Sequence, residues 1–288
     1  MFSPFQAAVL GVLQGVSELF PISSLGHSVI LPGLLGWSID QNADYFLTFV
    51  VATHFATALA LFVMYRGTWA RIIYGLLDSI WAREFRPTNP DAKLGLLLII
   101  GTVPAGAAGL IFQGQLQRLF LSPAAAALFL MLNGGLLYWA ERLRRNAKAS
   151  EDLDGIDQRI AAQMSWWQSA KVGLVQVVAL LPGFSRTGST IAGGLLIGFS
   201  HEEALRFSFL LATPIIGAAA LLKLPELLRS GSVSAIENAL LGATCAGVAA
   251  WVSIKILTRY FLTNTLTPFA IYCAAVGLLS LIVLGLAR

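Results

Sequence analysis

Polar and ionisable side chains are concentrated in two short stretches of a chain that is otherwise strongly apolar. The first stretch contributes Gln14, Glu18, Ser23, Ser24 and His27. The second covers residues 182–190 and contributes Ser185, Arg186, Thr187, Ser189 and Thr190. Together they offer a carboxylate base, attacking hydroxyls, an imidazole acid and a cation for equatorial oxygens, which is the set that phosphoryl transfer requires. The residue types therefore predict chemistry on a phosphate group.

Each of these residues also has a structural interpretation. Glu18 and Arg186 are compatible with a buried ion pair, and His27 with an interior histidine whose nitrogens are satisfied by the protein. The serines are compatible with hydrogen bonds to helix carbonyls. The presence of all these groups in two short stretches favours the functional interpretation, because an ion pair alone needs no neighbouring Ser24 or Thr190. His54 lies within an apolar segment and is expected either to face the same cavity or to bridge two helices.

The composition indicates that lipid surrounds most of the chain. Of its 288 residues 57% are hydrophobic and 12% are charged, and the mean hydropathy is +0.75. A helix crosses the hydrocarbon core with about 20 apolar residues. Six such segments are predicted, at residues 44–65, 93–113, 121–141, 204–222, 235–257 and 266–287. The first residues lack the basic region of a cleaved signal peptide. Cys245 and Cys273 fall inside the spans and are expected to be free thiols.

An internal repeat organises this single membrane domain of residues 1–288. Residues 10–38 align without a gap to residues 172–200, and identical pairs include Gln14/Gln176, Ser23/Ser185 and Gly36/Gly198. The repeats cover about 5–66 and about 168–224. Each begins with two short apolar stretches around a Pro-, Ser- and Gly-rich break, which predicts a re-entrant helical hairpin lining a cavity. Three spans separate the copies, so an all-α fold with an inverted-topology repeat is predicted.

Basic residues are concentrated in the segments after the first, third and fifth predicted spans. By the positive-inside rule these segments lie in the cytoplasm and both termini lie outside. The longest is a predicted cytoplasmic loop at about 142–170. A net charge of +4 distributed in this way indicates membrane orientation, and no nucleic acid partner is expected.

The two polar stretches resemble the signatures of a known family. Gln14-Gly15-Val16-Ser17-Glu18 with Pro21-Ile22-Ser23-Ser24-Leu25-Gly26-His27 is similar to the first signature of the undecaprenyl-diphosphate phosphatases, also called the bacitracin-resistance family. Residues 182–190 are similar to the second. The resemblance implies hydrolysis of undecaprenyl diphosphate to the monophosphate carrier for cell-envelope synthesis, and with it bacitracin resistance. It also implies a bacterial cytoplasmic membrane location and a site that faces the outer side.

Residue roles follow from the resemblance together with the chemistry of the side chains. We expect Glu18 to activate Ser24 for attack on the terminal phosphorus, while Arg186 holds the phosphate. His27 is expected to protonate the leaving oxygen or to position water, and an alternative makes His27 the nucleophile. The residues expected to contact substrate are Gln14, Ser23, His54, Ser185, Thr187, Ser189 and Thr190.

Metal and partners complete the expectations. The resemblance implies a divalent metal, Mg²⁺ or Ca²⁺, with Glu18 as its protein ligand. Gln14 stands where many members have a second Glu, which puts a two-carboxylate metal site in doubt, and Thr187 replaces a usual Ser. The expected partners are the lipid substrate, the membrane and, as an option, a second copy of the chain in a homodimer. The rival function is a transporter or lipid flippase, because inverted repeats with broken helices are also a transporter architecture.

Overall fold

The computed structural model describes residues 3–37, 39–40, 43–83, 88–120, 122–144, 155–230 and 233–286. Within these ranges every regular element is helical. The elements are α1 (Pro4–Ser17), α2 (Ser24–Leu34), α3 (Asp44–Met64), α4 (Arg66–Trp81), α5 (Pro90–Ile111), α6 (Gln113–Phe120), α7 (Pro123–Leu143), α8 (Ile156–Gln163), α9 (Trp166–Val177), a 3₁₀ turn (Val178–Leu180), α10 (Arg186–Leu196), α11 (His201–Ser230), α12 (Val233–Tyr260) and α13 (Thr267–Leu286). Residues 121, 287 and 145–154, which belong to predicted spans and to the predicted cytoplasmic loop, lie outside the described residues.

Six of these helices are long and apolar enough to cross a membrane. They are α3, α5, α7, α11, α12 and α13. Their positions confirm the six predicted spans: the span predicted at 44–65, for example, corresponds to Tyr45–Met64. The chain is therefore an all-α, multi-pass membrane protein.

The two repeats have the same local structure. α2 and α10 are each 11 residues long, and their N-caps are Ser23 and Ser185, whose side chains accept hydrogen bonds from Gly26 N and Gly188 N. Two residues after the end of each helix lies a glycine in the left-handed region, Gly36 at φ 65° and Gly198 at φ 105°. Glycine adopts this conformation without the steric cost that a Cβ imposes. The sequence repeat is thus a structural repeat.

The helices that follow these pairs, α3 and α11, pack in opposite directions. At one end, the ring of Tyr65, which follows α3, lies 6.4 Å from the ring of Phe209 in the first third of α11. At the other end, Val51 of α3 and Ala220 of α11 line the same cavity. Antiparallel packing of equivalent helices is the relation expected of an inverted repeat. Re-entry of α1–α2 and α9–α10 into the membrane stays a prediction.

Two helices lie in regions that the hydropathy pattern left as cytoplasmic segments. α4 buries Ile72 and Gly75 against α5, where a Cβ at Gly75 would lie 2.9 Å from Ala92 N. α8 carries a buried carboxylate, Asp157, that binds Arg206 Nε at 2.8 Å and Arg71 Nη2 at 2.9 Å. Burial alone raises the pKa of Asp157, but the bonds from Arg206, Thr68 and Arg71 outweigh it and leave the pKa below its ordinary value. The cluster ties α8 to α4 and α11.

Candidate active site

Glu18 lies at the C-terminal end of α1, and the packing of α1 on α12 fixes its position. The Glu18 amide donates to Gln14 O at 2.9 Å and closes the last turn. A Cβ added at Gly11 or Gly15 would overlap the backbone of Gly242 or Ala246 in α12. Helices approach this closely only where small residues face each other. The Glu18 side chain is consequently held in the protein interior, where it is 8% exposed.

Ser24, the first residue of α2, is paired with this carboxylate. Its Oγ donates to Glu18 Oε2 at 2.5 Å, and Gln14 Nε2 donates to the same oxygen at 3.2 Å. A hydroxyl hydrogen-bonded to a carboxylate is the arrangement of a nucleophile with its base. The break before α2 creates the pairing, since it turns the chain back within six residues of Glu18. Ser23 occupies the turn with φ 70°, a conformation that non-glycine residues seldom adopt.

Arg186, the first residue of α10, brings the second polar stretch to the first. Its Nη2 donates to Glu18 Oε1 at 3.2 Å, although the two residues are 168 positions apart in the chain. The remaining nitrogens, Nε and Nη1, are buried and have no hydrogen-bond partner in the described residues. An unsatisfied buried guanidinium is costly. Nε and Nη1 of Arg186 therefore favour binding of an anion at this position.

His54 of α3 completes the surroundings of Glu18. Its Nε2 lies 3.5 Å from Glu18 Oε2, and its Nδ1 lies 2.8 Å from Val50 O. A carbonyl oxygen only accepts, so Nδ1 carries a proton and Nε2 is free to exchange one with the site. The structure thus resolves the two sequence expectations for His54 in favour of the cavity, which the side chain lines.

His27 is oriented differently from the sequence expectation. Its Nδ1 donates to Ser23 O at 2.7 Å, and its Nε2 lies 2.9 Å from the hydroxyl of Tyr272, whose ring stacks on the imidazole. Both ring nitrogens are therefore used within the protein. The structure does not bring His27 to the wall of the cavity that holds Glu18 and Ser24, and a role as acid or nucleophile remains only a prediction.

Asn133 of α7 connects the two breaks and was missed by sequence reasoning. Its Nδ2 donates to Pro21 O at 3.0 Å, and its Oδ1 accepts from Ser185 N at 3.1 Å. Its side chain is fully buried. An amide in the middle of an apolar span was the available signal, because polar groups at membrane depth need partners.

The hydroxyls of α10 bond mainly to the protein. Thr187 Oγ1 donates to Glu18 O at 2.9 Å, and Thr190 Oγ1 donates to Arg186 O at 2.9 Å while also contacting Ser208. Ser189 Oγ is buried without a partner among the described residues. These three side chains do not line the cavity. Thr187 and Thr190 hold the backbone around Glu18 and Arg186, and the predicted contact of all three side chains with substrate stays untested.

A cavity of about 340 Å³ lies between the two repeats. Its polar wall consists of Ser17, Glu18, Ser23, Ser24, His54, Ser185 and Arg186. The rest of the wall is apolar and includes Leu25, Val51, Phe184, Ile216 and Ala220. Such a cavity suits a ligand with one anionic end and one hydrocarbon end.

The donors around the cavity limit how a metal could be held. No group of three or more His, Cys, Asp or Glu with metal-binding geometry occurs in the described part of the chain. Glu18 is the one acidic residue in the described cavity wall, and its oxygens face Arg186 on one side and Ser24 on the other. Mg²⁺ is often bound by one carboxylate together with substrate phosphates and water. The residues fit a metal that arrives with a diphosphate, and do not form an all-protein cage.

Comparison with known proteins extends over almost the whole chain. The family model described as bacitracin resistance protein BacA matches residues 7–279. The undecaprenyl-diphosphatase of Mycolicibacterium paratuberculosis is 43% identical over 299 residues, covering 98% of this chain and 97% of the relative. The undecaprenyl-diphosphatase of Acidiphilium cryptum is 43% identical over 289 residues, with 98% of each chain covered. Undecaprenyl-diphosphatase 2 of Chromobacterium violaceum is 43% identical over 281 residues, covering 96% of this chain and 97% of the relative.

Proposed function

Because the chain belongs to the bacitracin resistance protein BacA family, we propose that it hydrolyses undecaprenyl diphosphate to undecaprenyl phosphate and inorganic phosphate. The family match confirms the resemblance carried by the two polar stretches. One observation carries the proposal for this chain's own residues: the 2.5 Å bond from Ser24 Oγ to Glu18, beside an arginine of which two nitrogens have no partner among the residues described. The reaction recycles the lipid carrier of envelope synthesis and underlies bacitracin resistance.

The first step uses the Ser24 and Glu18 pair. Glu18 accepts the proton of Ser24 Oγ as that oxygen attacks the terminal phosphorus. The bond from this phosphorus to the bridging oxygen breaks, and undecaprenyl phosphate leaves with the bonding electrons. Water then attacks the phosphoserine, releases inorganic phosphate and restores Ser24. Covalent catalysis of this kind divides one difficult displacement into two easier ones.

Arg186 stabilises the charge that develops on the transferred group. Its Nη2 is already bonded to Glu18, so Nε and Nη1 are the donors available to phosphate oxygens. The guanidinium is rigid and planar, so Nε and Nη1 would each donate in a fixed direction to a separate phosphate oxygen, which fixes the orientation of the phosphate as well as its charge. Binding of the diphosphate would satisfy Nε and Nη1, which have no hydrogen-bond partner among the described residues.

His54 is the imidazole placed to move protons in this site. It lies on the cavity wall within 3.5 Å of Glu18 Oε2, whereas His27 is bonded to Ser23 and Tyr272. The departing group is a phosphate monoester, a weak base that needs little protonation. We assign His54 to relay the Glu18 proton or to orient the hydrolytic water.

A divalent metal, Mg²⁺ or Ca²⁺, is part of the proposal. Glu18 is the residue that would hold it, together with oxygens of the bound diphosphate. Its contribution would be to neutralise phosphate charge. The residues near Glu18, including the neutral Gln14, leave any further ligands to substrate and water.

The cavity accommodates the start of the prenyl chain beside the diphosphate. Val51 and Ala220 belong both to the cavity wall and to an adjoining apolar groove between α3 and α12. The hydrocarbon would therefore continue from the site along the groove without meeting water. The positive-inside distribution supports a site that faces the outer side of the cytoplasmic membrane.

Phosphate release by purified protein tests the proposal. Wild-type protein in detergent is given undecaprenyl diphosphate with Mg²⁺ or Ca²⁺, beside Glu18→Gln and the control Glu202→Gln, which changes a half-buried carboxylate at the start of α11. We expect hydrolysis by wild type and control, and a loss of about 10² to 10⁴ in turnover for Glu18→Gln. Binding of lipid without hydrolysis by wild type would support the transporter function instead.

A further inference from the structure

A second large cavity lies at the opposite end of α3 from the candidate active site. It has a volume of about 590 Å³ and is lined by four cations from three helices, Arg71, Arg206, Lys255 and Arg259. We call it the cationic pocket. It is lined by Met64, the last residue of α3, and by Tyr65, which follows it, whereas the active-site cavity uses Val51 and His54 of α3. A helix rises 1.5 Å per residue, so roughly 20 Å separates the two sites.

Positive charge exceeds negative charge in the cationic pocket. Asp157 binds Arg206 and Arg71, and Asp91 lies 3.4 Å from Arg71. Lys255 and Arg259 are exposed and form no ion pair with any residue that the structure describes; Lys255 lies 5.5 Å from the centre of the Trp251 ring. Four cations therefore face two carboxylates. Such an excess at a concave surface attracts an anion.

The cations line the pocket from three different helices. Lys255 and Arg259 are four residues apart and project from the same face of α12. Arg206 is held opposite by two bonds to Asp157 and by the Tyr65 ring, 4.1 Å below its guanidinium. Arginine and lysine side chains that converge on a cavity are the usual receptors for phosphate oxygens.

The surroundings indicate an amphipathic ligand. Apolar Met64, Ile254 and Leu262 also line the pocket. Tyr65 also lines the pocket and directly follows the last residue of α3, and aromatic rings at the ends of spans favour the boundary between headgroups and hydrocarbon. Basic pockets between spans on the cytoplasmic side bind anionic headgroups. We propose that the cationic pocket binds the phosphate headgroup of an anionic lipid from the inner leaflet, separately from the substrate.

Native mass spectrometry in detergent tests this assignment with phosphatidylglycerol and phosphatidylcholine as probes. The variant removes both unpaired cations, Lys255→Gln with Arg259→Gln. The matched control, Arg142→Gln with Arg144→Gln, removes two exposed charges at the end of α7. We expect wild type and control to retain phosphatidylglycerol in preference to phosphatidylcholine. We expect the variant to bind phosphatidylglycerol at least about tenfold more weakly than wild type does.

Three results would overturn the proposal. One is equal retention of the two lipids by wild type, and another is undiminished phosphatidylglycerol binding by the variant. The third is displacement of phosphatidylglycerol by millimolar inorganic phosphate, which would show a site for a free anion. If thermal melting shows the double variant to be unfolded, Arg259→Gln alone replaces it, and the same loss of preference is expected at smaller size.

Discussion

Replacing Arg186 by lysine separates a phosphate clamp from a structural ion pair. The arginine makes one bond to Glu18, 3.2 Å from Nη2 to Oε1, and its Nε and Nη1 have no partner in the part of the chain that the structure describes. A lysine ammonium can replace that single bond and its charge. It cannot present two further donors in the same plane. The substitution therefore preserves the charge and the single bond that a structural pair needs, and removes the two further donors that a phosphate clamp requires.

The expected magnitudes differ widely between the two functions. If Arg186 only pairs with Glu18, lysine retains most of the attraction, and turnover changes by a few-fold. If Arg186 binds the transferred phosphoryl group, loss of a charge-stabilising donor costs about 10² to 10³ in rate, or roughly 3 to 4 kcal/mol. We expect the larger loss with little change in thermal stability.

Phosphate release and thermal melting must be measured on the same preparation. Arg186→Gln is a useful companion, because it leaves Glu18 as an uncompensated buried charge and should lower the melting temperature as well as turnover. Hydrolysis by Arg186→Lys within a few-fold of wild type would refute the clamp. An inactive Arg186→Lys variant that is also unfolded would refute the clamp as well, because a structural role of Arg186 would then explain the loss of activity.

Three further substitutions test separate parts of the structure. Ser24→Ala removes the nucleophile and should lower phosphate release by at least about 10³. The control is Ser17→Ala, because Ser17 also lies on the cavity wall but its hydroxyl donates to Leu13 O of its own helix, and this variant should remain close to wild type. Similar losses in both variants would contradict the assignment. Asn133→Leu leaves Ser185 N unpaired and leaves Pro21 O with the weak 3.7 Å bond from Cys273 Sγ, so calorimetry should show a loss of roughly 1 to 3 kcal/mol in stability, and an unchanged melting temperature would contradict the bridging role. Asp157 has a pKa below its ordinary value of 3.8 in the folded protein, so its stabilisation is complete at neutral pH and is lost as the pH falls through that value and below. Asp157→Asn should lose up to about 3 kcal/mol at neutral pH and should show a flatter acid limb in a series of melting curves; parallel limbs would contradict this.

The spans and the meeting of the two breaks were predictable from sequence. Hydropathy identified the six spans because the membrane imposes a length and an apolar composition on each helix. The repeat, with the cost of an isolated charge in the membrane, indicated that Glu18 and Arg186 approach each other. Both predictions rest on constraints that act along a segment or on a pair of opposite charges.

Contacts set by tertiary packing were not predictable. The hydroxyl of Tyr272, 245 residues away in the chain, engages His27 Nε2, and no periodicity links the two. Asn133 bridges Pro21 and Ser185 from a helix outside the repeat. α4 was missed because its hydrophobic residues occupy one face only, a pattern that mean hydropathy does not detect.

The matched backbones of α2 and α10 carry unmatched chemistry. At the position of Ser24 the second copy has Arg186, and opposite Glu18 it has Leu180, which lines the same cavity. Two inverted copies with identical side chains would present the same site to both leaflets. Only differences between the side chains of the copies make the two sides of the membrane distinct. The leaflet that the site faces is consequently set by side chains that differ between the two copies, and neither copy contains a complete set of reacting groups without the other.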